Sequence, residues 1–351
     1  MAGFAILALW LPPGGAVEVA LGVDHTTRWV EGEQASGFEL GRAEVGGRWD
    51  WAWLTSEARF EAVRSARPQS LFGVDGNSLV VRARRVWVGA EVPWGPLVVA
   101  GQAGLVGDAF LEAAEQGDDL RDLTVLSAQG SGVLDAADLG ARLRVGLANG
   151  RLTLETSLVN GEGATEVERN DGTDIAVQLA GVPWAGRLGD APAAVRLAAF
   201  WRDGSRGAGA VQNDRIGALA TARGGLGSLG VVVVRADGFA ERAQRQVTEV
   251  EAWVNATVWP GYFGLLGQYG WSDLDEAAAD AVRQRVSAGL YLEPALPGST
   301  ADQRLRLYLT WSHMAYGADA SPVAGVPEAV AADVIGVRLA WTRTQALEAS
   351  P

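Results

Sequence analysis

The chain has 351 residues, of which 48% are hydrophobic, and a formal net charge of −13. This negative charge argues against a nucleic acid as partner, and the absence of cysteine excludes disulfides and thiolate chemistry. Apolar runs such as residues 4–11 and 229–234 are far shorter than the about 20 residues of a membrane-spanning helix. If the protein lies in a membrane, it must therefore cross it as strands.

The N-terminal residues 1–16 are predicted to be a signal peptide. An apolar stretch is followed by Pro12, Pro13 and small residues, and we expect cleavage near Ala16 or Ala20. The expected basic residue before the apolar stretch is missing, because the first arginine is Arg28. A buried first strand or a misplaced start codon is the alternative explanation.

Residues 17–351 are predicted to form one domain built from strands. Apolar and polar residues alternate in many segments bounded by turn residues, which is typical of strands with one apolar face. The predicted strands are 17–30, 37–47, 51–63, 78–91, 95–106, 138–148, 151–159, 173–182, 193–202, 213–223, 226–236, 247–258, 262–271, 281–292, 303–314 and 334–343. Their number is about 16, and an even number is what a single-chain barrel requires.

The connections between these strands alternate between short and long. Tight turns occur at Asn149-Gly150, Gly224-Gly225 and Pro260-Gly261. Long acidic connections lie between them, at 107–137, 161–172, 202–212, 272–280 and 315–332. This rhythm predicts an all-β transmembrane antiparallel β-barrel with short periplasmic turns and long external loops, placed in the outer-membrane lipid of a Gram-negative-type bacterium.

Arginines recur on the polar side of the predicted strands. Facing lipid, each would cost about 2–4 kcal/mol near the midplane, so we expect these side chains to line an aqueous lumen. The pore-lining candidates are Arg82, Arg84, Arg142, Arg144, Arg283, Arg285, Arg304 and Arg306. Arg85 breaks the alternation and should lie at an interface or beside a bulge. The alternative is that these arginines pair with carboxylates simply to fill the barrel, the candidate partners being Glu57, Glu61, Glu155, Glu249 and Glu251.

The connection 107–137 carries its own apolar residues, unlike a disordered acidic tail. A long connection of this kind usually packs against something, which in a wide barrel means folding inward as a constriction loop. Its candidate residues are Asp118, Asp119, Arg121 and Asp122. An external lid is the alternative.

The sequence contains only weak matches to nucleotide-binding and metal-binding motifs. The glycine pattern at 225–230 is followed by strand residues instead of a helix, so it predicts a hairpin and not a nucleotide site. The only histidines, His25 and His313, lack metal-ligand spacing. We therefore expect no metal, no cofactor and no enzymatic activity.

Several segments together resemble the phosphate-selective porin O/P family. They are 38–45 (Phe-Glu-Leu-Gly-Arg-Ala-Glu-Val), 97–107, 138–143, 158–163 and 170–174, in the order of that family. The resemblance covers about residues 38–182. It implies a 16-stranded outer-membrane porin, often a homotrimer, that passes small anions through a constriction lined by basic residues. The connection 107–137 departs from this pattern, because Arg121 is the only basic residue among the five acids of residues 112–122.

The sequence thus predicts an outer-membrane porin that allows passive diffusion of small hydrophilic solutes, including anions such as phosphate. We expect a weak preference for anions from the arginine wall. Three alternatives stay open: a non-conducting barrel that acts as scaffold or adhesin, a barrel enzyme such as a lipase, and a soluble β-protein that binds glycans through its tryptophans.

Overall fold

The structure is a computed structural model of the chain. It describes the following residues: 15–30, 33–64, 79–117, 132–148, 150–161, 163, 172–206, 211–238, 245–259, 263–276, 281–294, 303–317, 320 and 331–346. The described part of the signal-peptide region is its end, because the first strand begins at Gly15.

Sixteen long strands close into one antiparallel barrel. They are β1 (Gly15–Val30), β2 (Glu33–Trp51), β3 (Leu54–Arg64), β4 (Leu79–Trp94), β5 (Leu97–Gly107), β6 (Ala137–Leu147), β7 (Leu152–Val159), β8 (Asp174–Leu188), β9 (Ala191–Asp203), β12 (Asp214–Gly224), β13 (Gly227–Asp237), β14 (Gln246–Trp259), β15 (Phe263–Asp273), β16 (Val282–Leu292), β17 (Gln303–Tyr316) and β18 (Ala332–Ala346). Each pairs with the next along the chain, and β18 pairs with β1. Two short strands, β10 (Ser205–Arg206) and β11 (Val211–Gln212), form a separate sheet, and one helix, α1 (Ala109–Gly117), follows β5.

All sixteen predicted strands are confirmed. The largest difference is at β8, which continues to Leu188 although the alternation stops at Val182. The register of β8 against β9 shifts between Gly181 and Trp184. The two residues of β8 between them, Val182 and Pro183, therefore lie opposite a single residue of β9. Such a bulge moves the following side chains to the other face, which explains why alternation alone ends this strand too early.

The short and long connections lie at opposite ends of the barrel. At the end that we call the turn rim, β6 joins β7 through a turn closed by the Arg151 N–H donating to the Ala148 carbonyl at 3.3 Å. The turn at residues 95–96 lies at the same end, and the connections after β5, β7 and β9 lie at the other, which we call the loop rim. Two connections are exceptions: the one between β16 and β17 is long but lies at the turn rim, and the one between β1 and β2 has two residues but lies at the loop rim.

The exterior of the barrel is apolar. Leu143, Leu179, Val233 and Leu309 are among many large apolar side chains that stay exposed along the strands. Their neighbours in sequence face the interior and include buried polar side chains, such as Gln178 beside Leu179 and Arg306 beside Leu307, as well as apolar ones such as Val232 beside Val233. In the described residues no helix is long and apolar enough to span a membrane. The outer face of the strands therefore presents the apolar surface that contact with lipid requires.

Placing a charge on this exterior should be costly. Val233 lies near the middle of β13 with 40% of its surface exposed, whereas Leu226 lies at the turn rim with 77% exposed. We expect Val233→Arg to lower the free energy of unfolding from a bilayer by about 2–4 kcal/mol and Leu226→Arg by about 0–1 kcal/mol. Denaturant titration of the protein in lipid vesicles measures both, and equal losses would contradict the assigned membrane-facing surface.

Some interior aromatic rings lie flat on glycines of the neighbouring strand. A Cβ added at Gly230 would lie 2.2 Å from the Trp253 ring, and one added at Gly217 would lie 2.4 Å from Phe200. At Gly101, in contrast, a Cβ would meet nothing within 4 Å. The glycines let these rings lie against the wall.

We expect Gly230→Ala to destabilise the barrel by about 1–3 kcal/mol, because the Trp253 ring must move in a packed interior. Gly101→Ala is the matched control and should change stability little. The midpoint of urea-induced unfolding in vesicles compares the two variants. Equal midpoints would show that the ring does not need the glycine.

Candidate solute passage

The candidate arginines lie on the interior face and meet carboxylates. Arg142 Nη1 lies 2.9 Å from Glu112 Oε2, and Arg84 Nη1 lies 2.7 Å from Glu44 Oε2. The other pairs are Arg82 with Glu61 at 2.8 Å, Arg144 with Glu91 at 2.5 Å, Arg283 with Glu249 at 3.1 Å, Arg285 with Glu251 at 3.6 Å and Arg306 with Glu293 at 2.9 Å. The Arg304 side chain is outside the described residues. Every candidate arginine whose side chain is described thus has a carboxylate partner, as the barrel-filling alternative expects.

Arg85 lies beside a β-bulge. The register of β3 against β4 passes from Arg59 opposite Arg85 to Phe60 opposite Ala83, which leaves Arg84 as the extra residue. Because of this extra residue, Arg84 and Arg85 both reach the interior, where Arg85 Nη1 lies 3.3 Å from Glu112 Oε1. The bulge therefore concentrates basic side chains on the part of the wall that faces α1.

Helix α1 begins at a well-formed cap. The Asp108 carboxylate accepts a hydrogen bond from the Leu111 N–H at 2.8 Å, as expected of an N-cap residue. Burial raises the pKa of the Asp108 carboxyl above its ordinary value. The cap holds α1 at the end of β5, where the chain turns into the barrel.

The apolar side of α1 packs on the interior wall. Phe110 and Leu111 are fully buried together with Phe200, Leu219 and Val234, which face inward from β9, β12 and β13. The rings of Phe110 and Phe200 are 4.3 Å apart between centroids. Burial of these apolar side chains fixes the helix inside the barrel.

The acidic side of α1 faces the arginines of β4 and β6. Glu112 meets Arg85 and Arg142, and Glu115 meets Arg84 at 3.1 Å. Burial would raise the pKa of Glu112, but the charges of Arg85 and Arg142 outweigh burial and lower it. The ionised form is therefore favoured, and this stabilisation of the docked helix is lost as the pH falls through the lowered pKa.

A polar cavity of about 340 Å³ remains between α1 and the wall of β4 to β9. We call it the helix passage. Its charged lining residues are Glu91, Glu112, Arg142, Arg144, Glu155 and Arg196. Basic and acidic side chains are therefore equal in number along the helix passage.

A larger cavity of about 700 Å³ lies at the turn rim, and we call it the turn-rim chamber. Its polar lining residues include Arg223, Asn255, Thr257, Tyr291, Glu293 and Arg306. Gln116, in the last turn of α1, connects the two cavities. Its side-chain oxygen accepts from Arg196 of the helix passage, and its carbonyl accepts from Arg223 of the chamber at 3.5 Å.

A second ionic cluster closes the wall at the loop rim. Arg202 donates to Asp174 Oδ2 at 2.7 Å and contacts Asp138 Oδ2 at 3.3 Å. Asp138 also accepts from the Gly161 N–H at 2.9 Å. All three charged side chains are buried, so the cluster ties β6, β8 and β9 to the loop that follows β7.

The constriction-loop candidates Asp118, Asp119, Arg121 and Asp122 are outside the described residues. Sequence reasoning missed Glu112, Glu115 and Gln116, which lie in the described start of the same loop and make its contacts to the wall. Glu115 and Gln116 follow Glu112 by three and four residues, a spacing that places the three side chains near one another on a helix. Within the described residues, no group of three or more carboxylate or histidine side chains is placed to hold a metal ion.

The fold is similar to that of solved outer-membrane proteins. An anion-selective porin from Comamonas acidovorans matches with a TM-score of 0.57 and 14% identity over 94% of this chain and 99% of its own. OmpT, an outer membrane protein of Vibrio cholerae in its trimer form, matches with a TM-score of 0.53 and 12% identity over the same shares. No protein-family model and no curated protein sequence matches the chain. The protein thus has the fold of outer-membrane porins, a closed barrel of sixteen antiparallel strands.

Proposed function

We propose that the protein is an outer-membrane porin through which small hydrophilic solutes diffuse passively. The single observation that carries this proposal is the pairing of an apolar exterior with an ionic interior that keeps open polar cavities. A solid two-layered core would bury the apolar residues that here stay exposed. The ion pairs would be costly in contact with lipid, so their place is a hydrated interior.

In this proposal α1 and the loop around it narrow the lumen. The helix is held by apolar packing on one side and by Glu112 and Glu115 on the other. Solutes then pass along the helix passage and leave through the turn-rim chamber. The arginine candidates act as part of a charge-balanced wall, because each described one meets a carboxylate.

Selectivity among ions should be weak as a result. Charge rings in a narrow passage favour one ion sign only where one sign is in excess. Anions such as phosphate therefore pass alongside other small solutes without strong selection. A homotrimer surrounded by outer-membrane lipid is the assembly we propose, and chemical crosslinking in membranes would test it.

Recording in planar bilayers tests the proposed function. The purified protein should insert and give discrete conductance steps in potassium chloride, with a reversal potential near zero in a salt gradient. Insertion without conductance would instead support the non-conducting barrel, acting as scaffold or adhesin. A large reversal potential of either sign would refute the charge-balanced wall while leaving the porin assignment intact.

A further inference from the structure

The turn-rim chamber contains buried polar groups that the barrel itself does not use. Asn255 is 4% exposed, and its Oδ1 atom has no hydrogen-bond partner within the described part of the chain. Ser228 lies directly opposite Asn255 in the strand pairing, is equally buried, and its hydroxyl likewise meets no described partner. Both side chains point inward, since Leu229 and Val254 beside them are exposed on the exterior.

Buried polar atoms without partners are uncommon and costly, at about 1–3 kcal/mol each. Asn255 belongs to the lining of the chamber, and a turn of its side chain would bring the buried amide oxygen to a bound solute. An amide oxygen only accepts hydrogen bonds. A ligand that satisfies it must therefore bring a donor, which an ionised carboxylate or a fully deprotonated phosphate group lacks.

The remaining lining restricts the donor further. The charged lining residues are Arg223, Arg306 and Glu293, so positive charges outnumber negative ones by two to one. This excess disfavours a ligand whose donor is an ammonium group. The Thr257 hydroxyl lies 3.3 Å from the Tyr291 hydroxyl, and the Arg306 guanidinium lies 5.6 Å from the centroid of the Tyr291 ring. Hydroxyl, amide and guanidinium groups thus converge beside an aromatic ring.

The geometry points to the turn-rim chamber as a binding subsite for a hydroxyl-rich neutral solute of the mono- or disaccharide class. Sugar hydroxyls both donate and accept, so they match the unsatisfied Asn255 oxygen and the neighbouring guanidinium groups at once. A cavity of about 700 Å³ is within the usual range of about 300–1,000 Å³ for small-molecule sites. This subsite deepens the proposed porin function and rests on it.

The test is the block of ion current by the disaccharide sucrose added in rising concentration to the full-length protein in a bilayer. Sucrose should reduce the potassium chloride current in a saturable way. A polyethylene glycol of similar mass, whose ether oxygens only accept hydrogen bonds, should reduce it only in proportion to viscosity. Asn255→Ala should raise the half-blocking sucrose concentration about threefold to tenfold, the equivalent of one hydrogen bond.

Gln268→Ala is the matched control, because Gln268 is a buried interior amide that donates to Glu251 and belongs to the lining of neither cavity. It should leave the half-blocking concentration unchanged. If sucrose does not block wild-type current, or if Gln268→Ala weakens the block while Asn255→Ala does not, the subsite is refuted and the porin stands. Absence of any current in potassium chloride refutes the porin function itself.

Discussion

Replacing Arg142 by alanine is expected to destabilise the barrel by about 3–5 kcal/mol and to shift its ion preference towards cations. The Arg142 side chain is 9% exposed and neutralises Glu112 on α1 at 2.9 Å and Glu155 on β7 at 3.6 Å. It also donates to the Gly107 carbonyl at 3.1 Å, where the chain leaves β5. Removing Arg142 leaves Glu155 without this counter-charge and Glu112 with Arg85 alone, and breaking a buried ion pair is strongly unfavourable.

Two measurements separate the structural and electrostatic parts of this effect. The unfolding midpoint in vesicles reports stability, and the reversal potential in a potassium chloride gradient reports selectivity. The double variant Arg142→Ala with Glu112→Gln restores the charge balance, so its reversal potential should return towards the wild-type value. If the single variant keeps the wild-type reversal potential, Arg142 does not face the solute path.

Arg144→Ala provides the comparison for stability. Arg144 meets Glu91 at 2.5 Å, but both side chains are more than two-fifths exposed. Exposed pairs contribute about 0–1 kcal/mol. A loss as large as that of Arg142→Ala would contradict the difference in burial between the two arginines.

The second large effect is expected at the loop rim, where Arg202→Met should lower the free energy of unfolding by about 3–5 kcal/mol. The variant leaves Asp138 and Asp174 buried without their shared cation, and Asp174 has 0% of its surface exposed. Because these side chains tie three strands to the loop after β7, the loop should also become easier to cleave. Denaturant titration and limited proteolysis of intact protein in vesicles measure the two effects.

A compensating change distinguishes lost charge balance from lost packing. Arg202→Met with Asp174→Leu removes both members of the closer pair, and Asp138 keeps its hydrogen bonds from Leu139 and Gly161. Replacing a buried pair by apolar side chains is often close to neutral. The double variant should therefore recover much of the stability, and a further loss would show that packing of the arginine itself dominates.

The barrel could be predicted from sequence because most strands carry their own signal. Exterior residues such as Leu305, Leu307 and Leu309 alternate with Arg304, Arg306 and Tyr308, and a one-residue slip would place charges in lipid. The turn that the Arg151 N–H closes on the Ala148 carbonyl fixes one hairpin locally. These features need no knowledge of distant residues.

The arrangement inside the barrel could not be predicted in the same way. Which carboxylate meets Arg142 depends on how the chain after β5 re-enters the lumen, and no local pattern encodes this. The partners of Arg84 depend on a bulge and on a helix that packs against strands more than eighty residues away. The balanced charge of the wall follows from such long-range pairing, so the sequence alone favoured a more basic lumen.

Single cysteines at Leu143 and Arg144 test the central assignment most directly, since the natural chain contains no cysteine. In the structure, Leu143 is exposed on the apolar exterior, and the neighbouring Arg144 reaches Glu91 in the lumen. For protein in lipid vesicles, we predict that a charged, water-soluble thiol reagent modifies Arg144→Cys and leaves Leu143→Cys unmodified. Rapid modification of Leu143→Cys with protection of Arg144→Cys would contradict the account.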